Sequence, residues 1–251
     1  FISSFIRHLL LPLVPPGPRR ERLEDELPQA GSGRSVMTTQ PKFVPGEGAI
    51  EIRPDETSTV RVRVIDSVGY LIPGATGTQE GEAARMVSTP WSDADMPFEE
   101  AAALGTRKVM TDHATLGVVM TTDGTVTELP RSAYVRAEEE IVGEMRSLGK
   151  PFVLVLNTAL PDSPDAQSLR EALESKYGVP VAALNVRDMT EADARGVLKS
   201  VLMAFPIREI HFTLPSWVSA LDGDHWLIGE ARETLKALGK TVKTMRDKKL
   251  I

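Results

Sequence analysis

The chain contains no cysteine, which excludes a disulfide framework, thiol catalysis and thiolate metal sites, and suits a reducing compartment. Its histidines, His8, His113, His211 and His225, are scattered without H-x-x-x-H spacing, which argues against a zinc enzyme. Excess basic charge is lacking too: a net charge of −6 and a pI near 5.4 speak against a nucleic-acid partner, which needs a basic stripe. No run of about 18 apolar residues suits a membrane span. Residues 1–14 are apolar, but Arg7 and His8 interrupt them and no small-residue cleavage site follows, which argues against a signal peptide. No internal repeat is visible. The most consequential absence is a phosphate loop, since G-x-x-x-x-G-K-S/T occurs nowhere in the 251 residues.

What is present is the material of a globular domain, with 41% hydrophobic and 25% charged residues. The length suits one large domain or one domain with an extension. Phe1, Phe5, Leu9 and Leu13 fall at the spacing of a core-facing helical stripe. Pro15 to Pro18, the charged residues 19–26 and the Gly- and Ser-rich residues 30–35 read as one long mobile loop. Strands are predicted over 42–44, 49–53 and 59–65, followed by an irregular stretch over 70–97. Residues 98–112 read as a helix with Glu99 and Glu100 in its first turn. Alternation then continues: strand 115–122, the turn Asp123-Gly124, helix 132–148 ended by Gly149, strand 152–157, helix 168–177 ended by Gly178. Strand 179–186, a helix capped by Thr190, strand 208–214 and a long polar helix over 227–250 complete the pattern. The nearly continuous apolar run F-V-L-V-L-N at 152–157 marks a strand covered on both faces. The fold class is α/β, a mainly parallel sheet flanked by helices.

Within this frame the strand over 60–65 runs into Asp66, and Gly69 follows three residues later. D-x-x-G at a strand end has a role in nucleotide triphosphatases: the Asp orders water on Mg²⁺, and the Gly offers its N–H to the terminal phosphate. The same residues also suit an ordinary turn. Thr38 and Thr39 close the first mobile loop, where a hydroxyl could ligate Mg²⁺ and an N–H touch the γ-phosphate, although β-branched residues also simply begin strands. Asn157 and Thr158 end the strand that in a GTPase carries N-K-x-D. Here the fourth residue is Leu160, which offers guanine no acceptor, so ATP is favoured over GTP. Asp123-Gly124 reads only as a turn, and Trp91, Trp217 and Trp226 as core or interface anchors.

Several segments closely resemble the stage IV sporulation protein A family. They include D-E-L-P-Q from Asp25, V-M-T-T-Q-P-K-F-V-P from Val36, V-I-D-S-V-G-Y from Val64, S-T-P-W from Ser88 and L-G-T-R-K-V from Leu104. G-V-V-M-T-T-D-G-T from Gly117, L-P-S-W-V from Leu214 and D-H-W from Asp224 belong to the same set. The resemblance implies a translation-factor-related, P-loop GTPase-like domain that has switched to ATP, here missing its first strand. Residues 1–206 are then the ATPase domain without its phosphate loop, and 207–251 a connector strand and helix leading to a middle domain. The family pattern makes Thr38, Thr39 and Asp66 catalytic, Asp66 and Thr39 the metal side, and Gly69, Asn157 and Thr158 nucleotide contacts, with ATP and Mg²⁺ as cofactors.

The resemblance further implies a morphogenetic ATPase that polymerises into the basement layer of the spore coat. It would act in the mother-cell cytoplasm at the outer forespore surface. Its partners would be itself, spore coat proteins and a small amphipathic membrane-bound peptide, and no nucleic acid. Without a phosphate loop the chain is expected to be inactive alone, prone to aggregation and a poor binder of Mg-ATP. The absent first strand would lie between strands 60–65 and 115–120, leaving them ~9–10 Å apart, twice the usual spacing. Alternatives are a nucleotide-independent assembly module and, less favoured, a GTPase of the translation-factor class.

Overall fold

The computed structural model describes residues 1–28, 40–53, 59–80 and 83–250. Thr38 and Thr39 therefore lie outside the described residues. The first helix, α1 (Ile2–Phe5), continues through a widened turn at Ile6–Leu10 and a tight one at Leu11–Leu13. Phe5, Ile6, Leu9, Leu10 and Leu11 are buried, while Leu13 is 46% exposed. The widened turn holds more residues than an α-helical one, so the expected stripe rotates out of register and Leu13 swings to solvent.

The expected long loop contains a helix instead, α2 (Pro18–Asp25). Proline's fixed φ suits the first helical position, where its missing N–H costs nothing. Leu23 and Leu27 anchor this helix in the core. Strands β1 (Lys42–Val44), β2 (Ile50–Ile52), β3 (Val60–Val62) and β4 (Val64–Asp66) follow, with β2 antiparallel to β3 and β1 antiparallel to β4. The stretch expected to be irregular holds two further hairpins. They are β5 (Gln79–Glu80) with β6 (Ala83–Ala84), and β7 (Met86–Thr89) with β8 (Ser92–Pro97). Thr89 pairs with Ser92 across Pro90-Trp91, a two-residue connection without the Asn-Gly or Asp-Gly signature of a tight hairpin.

After α3 (Phe98–Lys108) comes the central sheet, β9 (Gly117–Thr122), β10 (Phe152–Asn157) and β11 (Val181–Leu184), all parallel in the order β11-β10-β9. Helices α4 (Arg131–Ser147), α5 (Pro164–Tyr177) and α6 (Glu191–Met203) connect and flank it. Strand β10 is buried from Phe152 to Leu156. Phe152, Leu154 and Leu156 pack with Val142, Met145 and Leu173 on one face, whereas Val153 and Val155 pack with Ile6, Leu10, Val197 and Val201 on the other. The two-residue period of a strand requires this split.

Thr190 caps α6 through a reciprocal box: its hydroxyl accepts from the Asp193 N–H at 3.2 Å, and the Asp193 carboxylate accepts from the Thr190 N–H at 2.8 Å. Thr190→Ala is expected to cost about 1 kcal/mol in urea unfolding; unchanged stability would show that tertiary packing alone holds this helix end.

Two expectations beyond α6 are corrected. Residues 208–214 form no strand. Ile210, Phe212 and Leu214 alternate as in a strand, but Phe212 and Leu214 stay exposed and no edge pairs with the segment among the described residues. The long C-terminal helix is broken into α7 (Trp226–Thr241) and a short turn at Met245–Leu250. Between them Val242 is extended and buried, and the Asp247 carboxylate accepts from the Lys243 and Thr244 N–H groups at 2.9 and 2.8 Å. These backbone bonds hold Asp247 below the usual carboxylate range.

The strand expected over 60–65 is instead divided into β3 and β4, which belong to separate two-stranded antiparallel sheets. No ladder joins β3 or β4 to β9, and among the described residues β9 pairs only with β10. Both sides line one cavity of about 2140 Å³, β3 and β4 through Val60, Val62, Val64 and Asp66, and β9 through Val118 and Met120.

Candidate functional site

Ligands of parallel α/β sheets lodge beyond the carboxyl ends of the strands, and the chain places the ends of its three parallel strands on this cavity. Thr125 follows β9, Asn157 and Ala159 lie at the end of β10, and Asn185 to Asp188 follow β11, while Asp66, the last residue of β4, and Gly69 reach the same cavity from the separate antiparallel pair of β1 and β4.

Asp66 ends β4 opposite Lys42. Burial pushes its carboxyl above the ordinary range, and Lys42 partly offsets that. A half-buried carboxylate held in this way is suited to receive a cation. Magnesium commonly binds through one or two carboxylates, with water and phosphate oxygens completing its shell, so Asp66 fits it. No cluster of three or more His, Cys, Asp or Glu side chains occurs among the described residues, so a metal held by protein ligands alone is not indicated.

Gly69 has φ +79°, where a side chain would be strained. Its N–H donates to the Thr106 hydroxyl at 3.0 Å, and Thr106, on α3, is buried yet touches the cavity. The neighbouring Tyr70 hydroxyl is buried beside Glu144 and Arg107 without a hydrogen bond of good geometry. Burial first, and the Glu144 carboxylate second, push it up to about 12. Glu144 itself pairs with Arg107 at 2.7 Å.

At the far end, the Asn157 side-chain oxygen accepts from the Val186 N–H at 3.0 Å and ties β10 to the loop after β11. Thr158 is turned inward: it is buried and its hydroxyl donates to Asp123 at 2.5 Å. Asp123 also accepts from the Thr125 N–H at 2.9 Å and hydroxyl at 2.6 Å, and the Thr125 hydroxyl accepts from the Ala159 N–H at 2.9 Å. Burial acts to raise the Asp123 carboxyl, but the bonds from Thr125 and Thr158 outweigh it and hold it below the usual range. The turn after β9 is therefore a brace between two strand ends as well as a turn. Leu160 is 69% exposed and presents no acceptor.

Of the residues singled out in the sequence, the structure brings Asp66, Gly69 and Asn157 to one cavity. It sets Thr158 behind the wall, and Thr38 and Thr39 lie outside the described residues. Thr106, Asp123, Thr125 and Asn185 escaped sequence reasoning. The only local signal among them was Asp123-Gly124, which accounts for a turn and nothing more.

Residues 1–206 match the family model described as stage IV sporulation protein A, ATPase domain. Stage IV sporulation protein A of Bacillus anthracis is 44% identical over 247 residues, covering 98% of this chain and 50% of the relative. The protein of that name in Bacillus subtilis (strain 168) is 42% identical over 247 residues, with the same coverage of 98% and 50%. That of Clostridioides difficile (strain 630) is 46% identical over 236 residues, covering 94% of this chain and 48% of the relative. The chain thus spans about half the length of the curated relatives it matches. No solved structure matches it.

Proposed function

The chain belongs to the stage IV sporulation protein A family, and from that premise we propose that it is the ATP-binding part of an Mg²⁺-dependent ATPase acting in sporulation. The observation that carries this reading is that Asp66, Gly69 and Asn157 all line one cavity. Asp66 and the Thr39 hydroxyl would hold Mg²⁺, Gly69 would give its N–H to the terminal phosphate, and Thr38 would join Thr39 in sensing that phosphate. Mg²⁺, when bound, would supply charge neutralisation to the departing phosphate. We read the sheet as G-protein-like. The slot beside β9 then receives the strand that leads into a phosphate loop.

At the level of the whole protein, hydrolysis drives self-polymerisation into the basement layer of the spore coat, on the mother-cell side of the forespore. Coat proteins and a small amphipathic membrane-bound peptide are its partners. No helix among the described residues is long and apolar enough to cross a membrane. A second reading is a nucleotide-independent assembly module.

Titration of the intact protein with Mg-ATP separates the two. Micromolar affinity is expected for the ATPase, and no saturable binding would leave the assembly module. With Leu160 in place of a carboxylate, GTP should compete with labelled ATP no better than ATP itself. Stronger competition by GTP would mean that base recognition lies elsewhere than the Asn157 strand end.

A further inference from the structure

We propose that Thr106 is a latch on the Asp66–Gly69 loop: its hydroxyl occupies the Gly69 N–H until the terminal phosphate of a bound triphosphate takes that N–H instead. The proposal rests on the nucleotide reading above.

The geometry carries it in three steps. The Gly69 N–H has one acceptor in the structure, the Thr106 hydroxyl at 3.0 Å. Both residues line the cavity that also holds Asp66, so the bond lies at the wall a ligand would reach, although the hydroxyl itself is buried in α3. Gly69 holds a left-handed backbone, φ +79°. A Cβ built on it would meet nothing within 4 Å, so the glycine answers a backbone requirement rather than a close approach.

An N–H donates at full strength to one acceptor at a time. A phosphate oxygen arriving at Gly69 must therefore displace the hydroxyl, and it can, because bonds to an ionised acceptor are about twice as strong as neutral ones. A diphosphate lacks the terminal group and leaves the latch closed. The loop also packs at its next residue, where the half-buried Tyr70 sets its hydroxyl beside Arg107 and Glu144. Release of Thr106 thus frees the turn before Tyr70 without undocking the whole loop from α3. Thr106 is a positioning residue that sets the balance between triphosphate-bound and free states.

The test uses the intact protein and two variants. Thr106→Val keeps the shape and removes the acceptor, and Thr106→Ser keeps the hydroxyl. Affinity for a non-hydrolysable ATP analogue is expected to rise about 3- to 10-fold in Thr106→Val, the worth of one neutral hydrogen bond. ADP affinity should stay unchanged, and Thr106→Ser should follow the parent. If Thr106→Val fails to fold, the parent alone still decides. In protein labelled at glycine nitrogen, the Gly69 amide resonance should move on saturation with the ATP analogue and stay in place with ADP. Parent-like affinities in both variants, equal tightening toward ATP analogue and ADP, or a Gly69 resonance indifferent to the analogue would overturn the latch and leave the nucleotide reading standing. Absence of any nucleotide binding by the parent would overturn both.

Discussion

Replacing Asp66 by Asn should make the protein more stable near neutral pH while lowering Mg-ATP turnover by about 10²-fold or more, the usual cost of losing positioned charge in phosphoryl transfer. The two effects share one cause. Burial raises the Asp66 carboxyl above its ordinary value, against the opposing pull of Lys42. With its folded-state pKa above the unfolded one, the native state binds the proton more tightly. The resulting stabilisation is fully present below the unfolded pKa and is lost as pH rises through the folded one. At neutral pH the ionised carboxylate is therefore a net burden on the fold, which the neutral amide of Asn removes at nearly constant shape. Thermal melts of parent and Asp66→Asn should diverge at pH 7, with the variant higher, and converge on acidification below the unfolded value. A variant that melts no higher at pH 7, or that hydrolyses ATP at the parental rate, would remove Asp66 from the metal side of the site. Tolerance of an unfavourable charge for the sake of function is a common signature of an active centre.

The second large effect concerns stability. Glu138 on α4 has a side chain only 1% exposed, and it gathers three elements. Its carboxylate accepts from the Thr121 hydroxyl of β9 at 2.5 Å, from the Tyr177 hydroxyl of α5 at 2.7 Å, and from the Arg131 guanidinium at 2.8 Å. Arg131 in turn donates to the Thr121 hydroxyl at 2.9 Å. Truncation by Glu138→Ala leaves a mostly buried guanidinium and two hydroxyls short of an acceptor, so a loss of about 3–5 kcal/mol in denaturant unfolding is expected. The double variant Glu138→Leu with Arg131→Met removes both charges together and should lose far less. If the single variant costs under about 1 kcal/mol, the network contributes little and packing alone places α4 against β9. Thr121 and Glu138 both reach the cavity, so the same network also sets the strand whose open edge walls the site.

How much of this was legible in the residues depended on how local its cause was. Strand β10 was readable because a strand buried on both faces must be apolar at successive positions, and Phe152 to Leu156 are all buried. The ends of α5 and α6 were readable at Gly178, which takes a left-handed φ of 56°, and at Thr190, whose hydroxyl caps its own helix. That Asp66 ends a strand and Gly69 turns the chain was readable because a strand end followed by a glycine is a short-range pattern. The hairpin of β7 and β8 was missed because Pro90-Trp91 carries no turn signature, and α2 because its proline and glycine read as a loop, although the proline opens the helix.

What only tertiary structure decided are pairings between side chains far apart in the chain. Gly69 meets Thr106 across 37 residues, Asp123 meets Thr158 across 35, and Glu138 meets Tyr177 across 39. Such bonds leave no period and no local spacing in a sequence. A threonine inside a helix or at a strand end satisfies local propensity equally well whether its hydroxyl meets a distant backbone N–H, a carboxylate or water. The partner is chosen when packing brings the elements together, because a polar group buried at that point must find one.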